Sequence, residues 1–326
     1  MPHTLKLDLY TFSLKRRNIQ DADNVTFEEF FRRSFQEEDE QAVKNDLYNR
    51  FAADYVNFFG ARFALNNDGT KGFYTRQVHG SHQRNYLDGI IKGGLTGIEQ
   101  EIYLQENPEV TDDIISENQL TTLPYYYKIW TPFDGTVGVF MIQGYTEASL
   151  TTMVLSHLRS FFASKDYTLF NYRHIPENYK QNFKNQSIVT AITYQRQGLG
   201  GDARNNLNPI FVDQEGIKVE VKISNLNLSP DRFQRIFQRP IQANLNDLGL
   251  SEEDEYETIA TYRDRDGHRS SAKVSNNLDI LPTFFLPNEL KEEGSEFPSM
   301  NTIRNHTNDI LETVKREIGY TPEDVE

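Results

Sequence analysis

The sequence predicts an α+β protein with mainly antiparallel sheets (meanders and hairpins) and flanking helices, and three observations predict it. Several short segments alternate apolar and polar residues with the period of a strand. Most of these segments are joined by short turns rich in Gly, Asn and Asp rather than by crossover helices. A smaller set of segments carries apolar stripes at helical spacing with start and stop signals. Short connections favour antiparallel neighbours over a doubly wound parallel sheet.

Leu5, Leu7 and Leu9 fall on one side of an opening strand, with Lys6 and Asp8 on the other. Thr26 precedes Phe27-Glu28-Glu29-Phe30-Phe31 as an N-cap, and Glu29 is spaced for a capping box. A second helix is expected from Ala42 to Phe59, with Leu47, Phe51, Tyr55 and Phe58 on one stripe and Gly60 as its stop. Strands at 62–65 and 73–78 flank the hairpin turn Asn66-Asn67-Asp68-Gly69-Thr70. Strands at 86–91 and 98–104 flank Lys92-Gly93-Gly94-Leu95-Thr96-Gly97, read as a tight turn. Residues 105–121 are polar, acidic and interrupted by Pro108, and read as a surface excursion.

Tyr125–Trp130 and Thr136–Gln143 form the next strand pair. Thr146 is the expected cap of a helix of about 18 residues with Leu150, Val154, Leu158 and Phe161 on its apolar face. Strands at 169–172 and 188–195 bracket a short helix after Pro176. Strands at 210–213 and 217–224 are expected to pair across Gln214-Glu215-Gly216, and strands at 256–263 and 270–274 across Arg265-Asp266-Gly267-His268. A final helix runs from Ser299 to Ile318 and stops at Gly319. The length suits one large domain or two ordinary ones, and the boundary expected between an N-terminal (1–115) and a C-terminal (116–326) α+β region falls at 115/116.

Composition narrows the chemistry. The chain has no cysteine, which excludes disulfides, thiolate metal sites and a cysteine nucleophile. Aromatic residues make up 12%, enough for a packed core. No apolar run approaches the roughly 18 residues of a membrane span, and the first residues lack a signal-peptide apolar segment. A cytoplasmic protein without membrane contact is the expectation. The formal charge is −14, from 34 basic and 48 acidic residues. Such a field repels nucleic acid on average, so any contact with it must run through local basic patches.

Two such patches stand out. Arg76, His79, His82, Arg84 and Lys92 gather around the segment 71–92, where arginine and imidazole groups suit phosphate or another anion. Arg232, Arg235 and Arg239 share one face of an expected helix whose other face carries Phe233, Ile236 and Phe237. The ordinary readings are a solvated loop for the first patch and an amphipathic surface helix for the second.

A third candidate is catalytic. Glu220 and Lys222 in Ile217-Lys218-Val219-Glu220-Val221-Lys222-Ile223 share one face of a strand. The spacing resembles that of the restriction-endonuclease-like superfamily. The resemblance implies a carboxylate on a divalent metal, Mg, with the lysine assisting the attacking water. That superfamily also requires an acid on the preceding strand. Asp213 is the candidate, but the expected hairpin puts it roughly 13 Å along the strand from the position opposite Glu220. An outer strand face with alternating charge gives the same pattern. Apart from that alternative, no cofactor is expected.

The segment from Gly135-Thr136-Val137-Gly138-Val139-Phe140-Met141-Ile142-Gln143 through Phe162 resembles a segment of uncharacterised proteins from bacterial anti-phage defence gene clusters. The resemblance carries no catalytic signature and implies an effector or assembly role in such a system. The leading expectation is therefore a non-catalytic binding or assembly subunit. It would contact nucleic acid or a protein partner through its basic patches, or form a homo-oligomer. The alternatives are the metal-dependent nuclease and a purely structural oligomer.

Overall fold

The computed structural model describes residues 4–20, 22–35, 43–60, 63–104, 107–146, 148–197, 218–229, 232, 257–265, 267–274 and 281–321. The fold class is α+β with antiparallel sheets. The chain divides into two units, Met1–His174 with Phe284–Glu326, and Ile175–Thr283. The sequence boundary at 115/116 falls inside the first of these. No helix among the described residues is long and apolar enough to cross a membrane.

The first unit is built on one sheet. Its path runs β10 (Tyr167–Arg173), β1 (Leu5–Arg16), β9 (Val137–Tyr145), β8 (Thr121–Trp130), β5 (Tyr86–Leu95), β4 (Lys71–Ser81) and β3 (Ala64–Leu65), every neighbour antiparallel. A short β2 (Asn24–Val25) also pairs with β1. The opening strand alternates as its sequence indicates, yet both faces are covered. Leu5, Leu7 and Leu9 are buried on one. On the other, Asp8 is buried and accepts a 2.5 Å hydrogen bond from the Thr151 hydroxyl, with Lys6 Nζ at 3.2 Å.

One face of the sheet carries α1 (Phe27–Phe35), α2 (Lys44–Gly60) and α3 (Thr151–Ala163). Aromatic rings fill this layer. Phe30 alone meets Phe31, Phe35, Phe51, Phe162 and Tyr167 at centroid distances of 5.1–6.2 Å. Burying a ring of this size stabilises by roughly 1.5–3 kcal/mol, so the cluster is the main anchor of the layer. The cap of α1 forms as expected: Glu29 N donates to Thr26 Oγ1 at 3.2 Å. The Glu29 carboxylate, however, is taken by Arg16 rather than closing a capping box.

The other face carries α5 (Met300–Glu317). Ser299 caps it by accepting from Thr302 N at 3.1 Å. Its end is a Schellman turn: Gly319 has φ +71°, Tyr320 N donates to Lys315 O and Gly319 N to Arg316 O. Both ends fall where the sequence places them.

Several expected elements are corrected. The glycines after Lys92 are not a turn. Strand β5 runs straight through them to Leu95 and pairs on both sides, with β4 and with β8. A Cβ on Gly93 would stand 2.3 Å from Leu150 Cδ1, and one on Gly94 1.9 Å from Thr121 O. Glycine is required there by close packing. The acidic excursion is also structured, as β6 (Gln100–Leu104) paired with β7 (Asn107–Ile115) in a separate two-stranded arm. Helix α3 starts at Thr151 behind Leu150 without a side-chain cap hydrogen bond from Leu150, and Thr146 lies upstream of it with its N–H on Thr4 O. On α2, Phe59 rather than Phe58 is buried.

The second unit contains α4 (Glu177–Gln186) and a four-stranded antiparallel sheet, β12 (Lys218–Leu228), β11 (Ile188–Gln197), β13 (Glu257–Arg263) and β14 (Arg269–Val274). Phe183, Val189, Ile192, Ala260 and Tyr262 form its core. The β13–β14 hairpin forms where expected. Its turn is tied by His268, whose N donates to Asp264 Oδ1 at 2.8 Å and whose Nδ1 lies 2.9 Å from Asp264 Oδ2.

Candidate nucleic-acid interface

Strands β4 and β5 form one long hairpin, and it gathers the first basic patch. Arg76 and His79 lie on β4, His82 and Arg84 in the turn, and Lys92 on β5. The register pairs His79 with Asp88 and Tyr74 with Lys92, and a bulge at Arg76 interrupts the ladder. The segment expected as a solvated loop is thus mostly strand. Arg76, His79, His82 and Arg84 are exposed and Lys92 is half-buried. Among the described residues, Arg76, Arg84 and Lys92 have no salt-bridge partner.

The strands also carry polar groups inward, on the face covered by α5. Asp88 is fully buried. Its carboxylate accepts Arg304 Nε at 2.7 Å on Oδ2, Arg304 Nη2 at 2.9 Å on Oδ1, and the Tyr126 hydroxyl at 2.9 Å on Oδ2. Thr307 Oγ1 in turn donates to the Tyr126 oxygen at 3.2 Å. Directly opposite Asp88 in the β5–β8 register stands Lys128, only 1% exposed. Its Nζ donates to Asn308 Oδ1 at 2.5 Å and to Arg304 O at 3.4 Å, and lies 4.6 Å from the Tyr86 ring centre. Burial pulls the Lys128 ammonium down to about 8, against the opposing pull of Asp88. Arg304, Arg84 and Lys315 lower it further. Lys128 and Arg304 therefore flank a single buried carboxylate, while Lys315 is paired with Glu312 at 2.8 Å.

This arrangement decides which groups are free for a ligand. Asp88 is the one carboxylate in the hairpin sequence 71–92. It is spent internally on Arg304, so it does not neutralise the exposed cations of the hairpin. An extended array of exposed arginine, lysine and imidazole donors suits phosphate oxygens.

The other sequence candidates stand apart. Glu220 and Lys222 do share a face of β12, as strand periodicity requires. The register places Gln195 opposite Glu220, and Glu257 beyond it on β13. Glu220 lies 3.2 Å from Lys218 Nζ and is nearly half exposed. Strand β12 pairs with β11, and the expected partner strand 210–213, with Asp213, lies outside the described residues. No group of three or more potential metal ligands occurs among the described residues. Arg232 donates its N–H to Ser229 Oγ at 3.3 Å, the expected start of a helix. Arg235 and Arg239 lie outside the described residues.

Sequence reasoning missed Asp88, Lys128 and Arg304. Two signals pointed to them. Asp88 is the lone acid in a basic run, and Lys128 is the lone charge within Tyr125-Tyr126-Tyr127-Lys128-Ile129-Trp130. Nothing local links either to Arg304, which is 216 residues from Asp88.

Trp130 and His157 take packing roles. Trp130 is buried against Tyr320, and His157 sits among Phe58, Phe59 and Phe73. Comparison with known proteins finds no match for the chain among family models, curated proteins or solved structures.

Proposed function

We propose that this chain is a non-catalytic binding and assembly subunit that contacts nucleic-acid phosphates through the β4–β5 hairpin. One observation carries the reading. On a chain of charge −14, the exposed cations Arg76 and Arg84, with His79, His82 and Lys92, share one hairpin whose only carboxylate is buried and committed to Arg304. Arginines on a rigid two-stranded element bind phosphate with little ordering cost, and they position a backbone without reading bases. The resemblance of residues 135–162 to proteins of bacterial defence gene clusters fits such a role within a larger cytoplasmic assembly.

The test is fluorescence anisotropy of labelled single- and double-stranded oligonucleotides, titrated with the full chain across a salt series. The expected outcome is affinity that falls with salt, with a log–log slope of about −0.7 to −0.9 per phosphate neutralised. Arg76→Glu/Arg84→Glu is expected to weaken binding to all sequences alike and to flatten the slope by about 2. A flat salt dependence, or full affinity in that variant, overturns the reading.

A further inference from the structure

The arm formed by β6 and β7 has no role in the sheet it grows from. It is inserted between β5 and β8, and its base is fixed. Gly97 N donates to Glu117 O at 2.9 Å, Thr96 Oγ1 to Gln119 O at 2.7 Å, and Thr121 Oγ1 to Leu95 O at 3.2 Å. Beyond that base its two strands pair only with each other among the described residues, so each has an open outer edge.

The arm is apolar and acidic together. Ile98 is 60% exposed and Ile114 50%, and Ile102 is exposed as well. Between the arm and the β3–β4 turn opens a groove of about 920 Å³, walled by Phe63, Leu65, Tyr74, Ile114 and Leu120. Isolated exposed apolar residues such as Ile98 and Ile102 are ordinary, but Phe63, Leu65 and Ile114 are all exposed around this one groove, and such a set marks a contact surface. Residues 93–127 hold seven acids and no lysine or arginine. The acids of the arm favour a cationic ligand for this surface, since an anion or an average acidic protein surface is repelled.

We propose that this surface binds a second copy of the same chain, the acidic arm of one copy lying against the basic β4–β5 hairpin of the other. Residues 69–92 supply Lys71, Arg76, Arg84 and Lys92 against the buried Asp88. Charge complementarity between two elements of one chain is the reason for choosing a second copy over another partner. Every copy carries both elements, so two copies related by a two-fold axis make the contact twice, once in each direction, and the assembly closes as a dimer. The inference reuses the hairpin that the proposed function assigns to nucleic acid. It follows that nucleic acid and the second copy compete, and that the arm guards the hairpin until a stronger polyanion displaces it.

The test is mass measurement of the full chain by sedimentation velocity, without nucleic acid. A dimer is expected at about 0.1 M salt and dissociation at about 1 M, where the screening length falls from about 10 to about 3 Å. Glu99→Lys/Asp113→Lys reverses the arm, and Arg76→Glu/Arg84→Glu reverses the hairpin. All four positions are exposed, and folding of each variant is checked by circular dichroism. Each variant alone is expected to be monomeric, and an equimolar mixture of the two to recover the dimer. Ile114→Ser is expected to weaken it at least tenfold at about 0.1 M salt. A wild-type chain that stays monomeric up to about 100 μM, or a dimer indifferent to both reversals, overturns the proposal. Nucleic-acid binding by the arm-reversed variant separates the two readings. Binding without any wild-type dimer removes only this inference, and a reversible dimer without binding removes only the proposed function.

Discussion

Removing Arg304 tests the central charge network most directly. In the folded chain Asp88 has no solvent contact and depends on Arg304 for two of its three hydrogen bonds, the third coming from Tyr126. Arg304→Ala leaves that carboxylate buried, with Lys128 as its remaining nearby cation. Breaking one side of a buried pair costs about 3–5 kcal/mol, because the surviving charge keeps its desolvation penalty. For a unit of this size each kcal/mol moves Tm by about 2–4 °C, so a fall of roughly 6–20 °C is expected. The assay is differential scanning calorimetry at neutral pH, beside Asp88→Leu/Arg304→Leu. The double variant removes both charges and is expected to be more stable than Arg304→Ala, with a coupling of about 1–3 kcal/mol. A loss below about 2 °C in Arg304→Ala would refute the reasoning, since Asp88 would then be reaching water or another partner on demand.

Three further predictions follow from the same geometry. Lys128, held at about 8 against an ordinary 10.5, binds its proton less tightly in the folded chain than in the unfolded one. The site's contribution to stability is therefore lowest below pH 8 and rises as pH increases toward 10, by about 3 kcal/mol at most. Lys128→Met should abolish that rise in urea titrations, and identical slopes for the two proteins would contradict it. Above pH 10 the trend reverses, because burial raises Tyr125 to about 12 and the unfolded chain ionises first. Burial also lowers His157, so the unfolded chain takes up a proton there first as pH falls through about 6.5. His157→Leu should lose less stability than wild type between pH 7 and 5, and an equal loss would count against the reading. Gly89→Ala would place a Cβ 1.8 Å from Gln77 O across the β4–β5 ladder. A loss of at least about 2 kcal/mol is expected. Gly60→Ala, with nothing within 4 Å, serves as the control that should stay within about 1 kcal/mol.

Periodicity and punctuation made much of the fold legible. Leu5-Leu7-Leu9, the Thr26 cap, the Asn66–Thr70 turn, and the Ser299 and Gly319 ends of α5 each act through groups within a few residues. Where the sequence misled, the deciding contact was distant. Gly93 and Gly94 look like a turn because glycine favours one. They lie in a strand because Leu150 and the Thr121 carbonyl leave no space for a side chain. The acidic run at 105–121 looks like an excursion because its composition is polar. Its pairing rests on backbone hydrogen bonds that composition does not encode.

The candidate surface divides in the same way. That Arg76, His79, His82, Arg84 and Lys92 form a basic patch on an acidic chain was readable from the sequence, because charge is a property of residue type. That the patch keeps its charge was decided by tertiary structure. Only folding brings Arg304 and Lys128 to Asp88, taking the hairpin's single carboxylate out of water and into a network of its own. Residue identity sets how many charges a segment carries, and burial with partner choice sets how many of them a ligand meets.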